Sequence, residues 1–279
     1  VTAARREKRP KYSRKHNPHG AMGLMDHLVE FRNRFVISAI AIAVAMVGGF
    51  FLTDLVFDLL RRPVELLMEQ RGGRVSINFG NVTTAFDLRL QMSLTLGIVL
   101  ASPVWLYEFW MFLMPGLKKT ERRYALGFLG TAIPLFLGGV VLGVLVMPRI
   151  VEVMAAFAPQ EDTVWYDAKT YYSFALTLCI AVGIAFVVPV VLVMLNFAGV
   201  LRGRAILKSW RMAVMISALF SAMATPSADV LSMFLLMIPM ILLYFMATGI
   251  ALLHDRRADA RTQRRERVLD SELQQTLTT

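Results

Sequence analysis

Ser102-Pro103-Val104-Trp105-Leu106-Tyr107-Glu108-Phe109-Trp110-Met111-Phe112-Leu113-Met114-Pro115-Gly116-Leu117-Lys118-Lys119-Thr120-Glu121-Arg122-Arg123-Tyr124-Ala125 reads as the aromatic end of one apolar helix, a Pro-Gly break, a short charged connector and the start of a second helix. Pro115-Gly116 ends the first helix, and Thr120 is a suitable N-cap for the second. Glu121 then falls in the first turn, where the positive end of the helix dipole favours a carboxylate. A charged loop this short, set between apolar segments, is more elaborate than anchoring requires.

Working outward, the chain is 279 residues long, 56% hydrophobic and only 18% charged. A soluble domain carries about 25% charged residues. The missing charge coincides with long apolar runs, which identifies an integral membrane protein. A crossing helix needs about 20 apolar residues. Six candidates are Phe35–Leu55, Ala85–Leu113, Tyr124–Met147, Tyr171–Val193, Trp210–Ala224 and Val230–Leu253. In lipid each must satisfy its own backbone hydrogen bonds, so all are read as helices. The first is too long for a signal peptide, and Phe50-Phe51-Leu52 offers no small-residue cleavage site, so it is expected to be retained. The fifth reaches only ~22 Å and is expected either to stop short or to thin the bilayer.

Lys and Arg mark the orientation. Residues 1–34, 114–123, 198–211 and the tail after Leu253 carry 23, against 6 in the intervening loops. Both termini are therefore expected in the cytoplasm. The fold class is all-α: six transmembrane helices in a curved bundle with a short fifth helix. Pro103, Pro134, Pro189 and Pro239 are expected to bend their spans, and Gly138, Gly139 and Gly143 to admit a close neighbour. Residues 1–20 and 255–279 read as disordered basic tails around a membrane domain at 21–254.

Catalytic signatures are missing. There is no Walker-type phosphate loop, His-Glu-x-x-His pair or Gly-x-Ser-x-Gly elbow, so no enzyme, cofactor or metal is expected. Cys179 stands alone in an apolar stretch, and His16, His19, His27 and His254 read as surface residues. The net charge of +10 comes from cations beside the spans without any nucleic-acid-binding motif.

The informative charges lie at the interface instead. Met25 to Phe35 reads as an amphipathic surface helix before the first span. Glu30 there either pairs with Arg34 four residues on or joins Glu121 in an acidic patch for a cationic ligand. Lys118, Lys119, Arg122 and Arg123 would repel a generally basic ligand and admit one with correctly placed guanidinium groups, with Phe112 and Leu117 as an apolar wall. Asp87, Arg89 and Glu108 sit in or at the edges of the second span, where ionisable groups pair or face a cavity; Asp87 with Arg89 reads as interfacial. Asp229 reads as an N-cap of the sixth helix or as a ligand-facing group.

Four motifs resemble the TatC family, the multispanning receptor subunit of the twin-arginine protein translocase. They are His27-Leu28-Val29-Glu30-Phe31-Arg32-Asn33-Arg34, the run quoted above, Phe186-Val187-Val188-Pro189, and Thr225-Pro226-Ser227-Ala228-Asp229 followed by Ile238-Pro239-Met240. The resemblance implies a receptor for folded cargo carrying twin-arginine signal peptides, in the cytoplasmic membrane. It implies recognition by Glu30 and Glu121, with Arg32, Phe112 and Leu117 in the same site, and roles in transport for Pro63 and Asp229. TatB and TatA are the implied partners, with self-association in a receptor complex and the proton-motive force as energy source. Two departures stand out: Val187 replaces a family glutamate, and Met233 a family glutamine. The alternative is a secondary transporter for a small solute, which would need a charged or broken-helix midplane site.

Overall fold

The computed structural model describes residues 24–70, 72–73, 75–113, 122–157, 163–224 and 230–278. About 88% of it is helical. The elements run α1 (Leu24–Phe50), α2 (Thr53–Gln70), β1 (Val75–Asn78), α3 (Thr84–Leu100), α4 (Ser102–Leu113), α5 (Arg122–Ala156), β2 (Val164–Asp167), α6 (Ala168–Phe197), α7 (Gly203–Lys208), α8 (Trp210–Ala224) and α9 (Val230–Thr278). Among the described residues four helices are long and apolar enough to cross a membrane, α3 with α4 makes a bent fifth, and α8 is a shorter apolar helix. The membrane bundle read from the sequence is therefore present.

The second span is broken rather than straight. α3 and α4 meet at 60° around Ala101. Pro103 has no N–H to continue the ladder and is placed in the first turn of α4, where none is needed. The Ile98 carbonyl at the break accepts from Trp105 Nε1 at 2.9 Å. α1, by contrast, is one helix from Leu24 onward, so the expected surface helix turning inward near Phe35 is not separate. Nothing between Leu24 and Val47 breaks a helix, and its end follows Gly48-Gly49.

Glycines bring the central helices together. A Cβ at Gly139 would lie 2.8 Å from the Gly183 Cα, and one at Gly143 would lie 2.8 Å from the Cys179 Cα. The α5–α6 pair thus packs backbone to backbone, and Cys179 fills that contact. Gly138 faces open space and has no such role.

The loops expected after the first and third spans are structured instead. α2 turns Leu60, Pro63, Val64 and Leu67 inward, an i, i+3, i+4, i+7 face. That face meets Ile150, Val151 and Ala155 of α5, which runs past the expected end at Met147. β1 and β2 form a parallel pair, Val75 opposite Val164, which adds a small ribbon to the helical fold. Pro63 removes a donor from the interior of α2, and the neighbouring Leu60 carbonyl accepts from the Tyr171 hydroxyl at 2.8 Å. This end of the bundle is a packed cap.

The tail after Leu253, expected to be disordered, continues α9 through Thr278. It holds no Gly or Pro and is rich in Ala, Arg, Glu, Gln and Leu, all strong helix formers. Asp255 at its start is tied down, accepting from Asn196 Nδ2 at 2.8 Å and the Gly203 N–H at 2.6 Å. The other expected tail, residues 1–20, lies outside the described residues.

Candidate recognition site

Where α1 begins and α4 ends, two helices cross and bring charge together. Arg34 is the centre of the cluster. Its Nη2 and Nε donate to Glu30 Oε1 at 2.5 and 3.0 Å, one turn back on α1. Its Nη1 donates to Glu108 Oε2 at 2.8 Å, across on α4. The three side chains are 13–21% exposed, so the ion pairs are partly withdrawn from water. Two carboxylates share one guanidinium, leaving the trio with a net charge of −1.

Glu30 uses only one oxygen in this arrangement. Its Oε2 is sheltered from solvent and has no hydrogen-bond partner among the described residues. A buried carboxylate oxygen without a donor is unfavourable by about 1–3 kcal/mol or more. Such an oxygen is ready to accept from an incoming cation.

An aromatic wall stands beside the charges. Phe112 lies one turn beyond Glu108 on the same face of α4. The His27 ring stacks on it with centroids 4.5 Å apart, and Phe31 approaches at 5.2 Å. Apolar surface of this kind lowers the local dielectric and strengthens nearby hydrogen bonds.

Of the residues read from the sequence, Glu30 and Phe112 fall in this neighbourhood. Arg32 does not join the trio: it is exposed, with its Nη2 3.4 Å from Asn33 Oδ1. Pro63 is buried in α2, which follows the end of α1, and Glu30 stands ~30 Å before that end along the α1 axis. Glu121, Leu117 and Asp229 lie outside the described residues. Asp87 and Arg89, read as interfacial, are both partly exposed and form their ion pairs with other elements rather than with each other. Arg89 reaches Asp54 at 2.5 Å and Asp87 lies 3.6 Å from Lys169, because residues two apart on a helix point to different sides. The sequence reading missed Glu108 as Arg34's second partner; its position four before Phe112 was the available signal.

The chain matches the family described as Sec-independent protein translocase protein (TatC) over residues 26–239. It belongs to the TatC family. It is 42% identical over 241 residues to a TatC of Xylanimonas cellulosilytica, covering 86% of this chain and 87% of that one. A TatC of Rothia mucilaginosa is 38% identical over 248 residues, covering 88% and 85%. The crystal structure of a twin arginine translocase receptor, TatC in DDM, superposes with a TM-score of 0.71 at 30% identity, covering 81% of this chain and 99% of that one. As a TatC, the chain is a membrane-embedded component of a protein translocase. Val187, read from the sequence as a departure from the family pattern, is buried with Leu106, Phe128 and Val190, so the position is apolar core. Met233 is half-buried on α9.

Proposed function

We propose that this protein is the membrane receptor that binds twin-arginine signal peptides of folded cargo at its cytoplasmic face and takes part in their translocation. The observation that carries this reading is the Glu30 carboxylate: one oxygen already holds a guanidinium and the other is sheltered and unpartnered beside Phe112. A carboxylate accepts a guanidinium through a planar fork that an ammonium lacks, so the site favours arginine over lysine. Glu121 and Leu117 complete it from the connector before α5, and Arg32 sets its rim. Glu30 and Glu121 grip the paired arginines. Pro63 and Asp229 act in transport.

The protein works in the cytoplasmic membrane with both termini inside, as the distribution of Lys and Arg supports. TatB and TatA are its single-span partners, it self-associates in the receptor complex, and the proton-motive force drives transport.

The test is binding of a twin-arginine peptide and its twin-lysine version to the purified protein. Hydrogen bonds to charged groups contribute about 1.5–3 kcal/mol each. Glu30→Gln and Glu121→Gln should each weaken twin-arginine binding roughly tenfold or more and narrow the gap to twin-lysine. The double variant should lose less than the sum. Unchanged affinity in both single variants rejects the site.

A further inference from the structure

A second binding feature lies between α6, α7, α8 and α9, in a part of the molecule that the Glu30 cluster does not reach. It is an open-sided cavity of about 380 Å³, within the ~300–1,000 Å³ range of small-molecule sites. Val188, Leu192, Ile216, Phe220 and Met240 are among the side chains of its wall. The proton of the Tyr244 hydroxyl is already donated to the Ile206 carbonyl. With Ser209 and Ser217 as its other polar side chains, the lining suits a largely hydrocarbon ligand body.

The residues beside this lining in the chain have the opposite character. Ala205, Ser209 and Met212 line the cavity at the α7–α8 junction. Next to them in the chain stand Arg204, Lys208 and Arg211, all exposed. Among the described residues none of the three has an ion-pair partner. Asp255, the acid nearest α7, already accepts from Asn196 Nδ2 and the Gly203 N–H. Trp210 is 45% exposed with the Arg211 guanidinium 5.7 Å from its ring centre. Trp beside a cation is the pattern of a membrane–water interface.

We infer that this is a site for one anionic phospholipid, its acyl chain in the cavity and its phosphate on Arg204, Lys208 and Arg211. In a membrane, an open-sided apolar cavity between spanning helices is filled by the acyl chains that surround it. The cations then select which lipid stays, since basic pockets between spans attract anionic headgroups. A zwitterionic lipid fits the same cavity but gains little from the charges. The ~22 Å length of α8 leaves this corner short of the bilayer, and a held lipid would complete the apolar surface there.

The experiment is a titration of the purified full-length protein in neutral detergent, read by native mass spectrometry. Its probes are dioctanoyl phosphatidylglycerol, dioctanoyl phosphatidylcholine and glycerol 1-phosphate. Phosphatidylglycerol should bind about tenfold or more tightly than phosphatidylcholine, and glycerol 1-phosphate should not bind. The triple variant Arg204→Gln, Lys208→Gln, Arg211→Gln should reduce phosphatidylglycerol to the phosphatidylcholine level. Its positions are exposed, so an unchanged melting temperature without lipid is expected and shows that folding is intact. Ala213→Phe, which fills the cavity, should weaken both lipids. Equal affinity for the two lipids, a preference that survives the triple variant, or glycerol 1-phosphate binding as well as phosphatidylglycerol each overturns the proposal. So does unaltered lipid binding in a folded Ala213→Phe variant.

Discussion

At the end where α1 finishes, α2 and the β1–β2 ribbon bury Leu60, Val64 and Val75 against α5 and α6; where α1 begins, the contacts are rings and a shared guanidinium. Fully burying a Leu or Val side chain stabilises by about 1.5–3 kcal/mol. A partly exposed ion pair contributes about 0–1 kcal/mol and is screened by salt. The capped end therefore carries stability, and the charged end holds interactions that can be exchanged at little cost. Glu30, Arg34 and Glu108 hold each other in place, and Glu30 Oε2 is left without a donor among the described residues.

Breaking the capped end should give the largest effect. Leu60 is 2% exposed in the α2–α5 core. Leu60→Ala should lower unfolding stability by about 2–5 kcal/mol, with twin-arginine peptide affinity unchanged once folded protein is selected. A large loss of affinity in that variant would show the ends to be coupled. Glu108→Gln probes the other end. It keeps an amide oxygen for Arg34 but removes the charge, so Arg34 is drawn more strongly to Glu30 and the negative potential falls. Both effects weaken peptide binding, by about three- to tenfold, with little change in melting temperature. Tighter binding would show that Glu108 restrains the site rather than serving it.

The ends also differed in how far they could be read from sequence. The bundle was legible because lipid imposes one rule, an apolar run of fixed length, and α8 falls on the expected fifteen residues Trp210–Ala224. The cap was not, because α2 breaks its apolar run with Arg61, Arg62 and Pro63, which read as a loop. Its helix exists because Leu60, Val64 and Leu67 find α5, a tertiary contact that no local pattern announces. At the charged end the sequence exposed Glu30 with Arg34, since the i,i+4 spacing is local. Glu108 joins from 74 residues away, and only the 60° turn between α3 and α4 brings it there. The basic tail after Leu253 misled because its charge masked good helix formers.

Tyr171 tests a single bond at the cap. Its hydroxyl donates to the Leu60 carbonyl at 2.8 Å inside the core. Tyr171→Phe keeps the ring and removes that donor, so stability should fall by about 0.5–1.5 kcal/mol. Pro63 lacks the N–H that would reach the Leu59 carbonyl, so the Tyr171 bond to Leu60 is a separate contact. An unchanged melting temperature in Tyr171→Phe would show that the Leu60 carbonyl is satisfied within α2 alone.

The smallest effect concerns a carboxylate at the cap, where polar groups otherwise play a minor part. Asp167 closes the start of α6, accepting from the Thr170 N–H and hydroxyl, both at 2.8 Å. The Thr170 N–H first, and then its hydroxyl, hold the Asp167 carboxyl below the usual carboxylate range. A lowered folded-state pKa gives stability that is present above the unfolded value, about 3.9, and is lost as pH falls through the folded value. The parent should therefore melt slightly higher than Asp167→Ala at neutral pH, and the two should converge below about pH 4. The gap should be small because the side chain is exposed and solvent screens it. Asp167→Asn keeps an N-cap acceptor without the charge, so it should fall between the two at neutral pH and show no such convergence of its own. A gap that persists unchanged at acid pH would mean that packing at this position, rather than the ionised carboxylate, holds the first turn of α6.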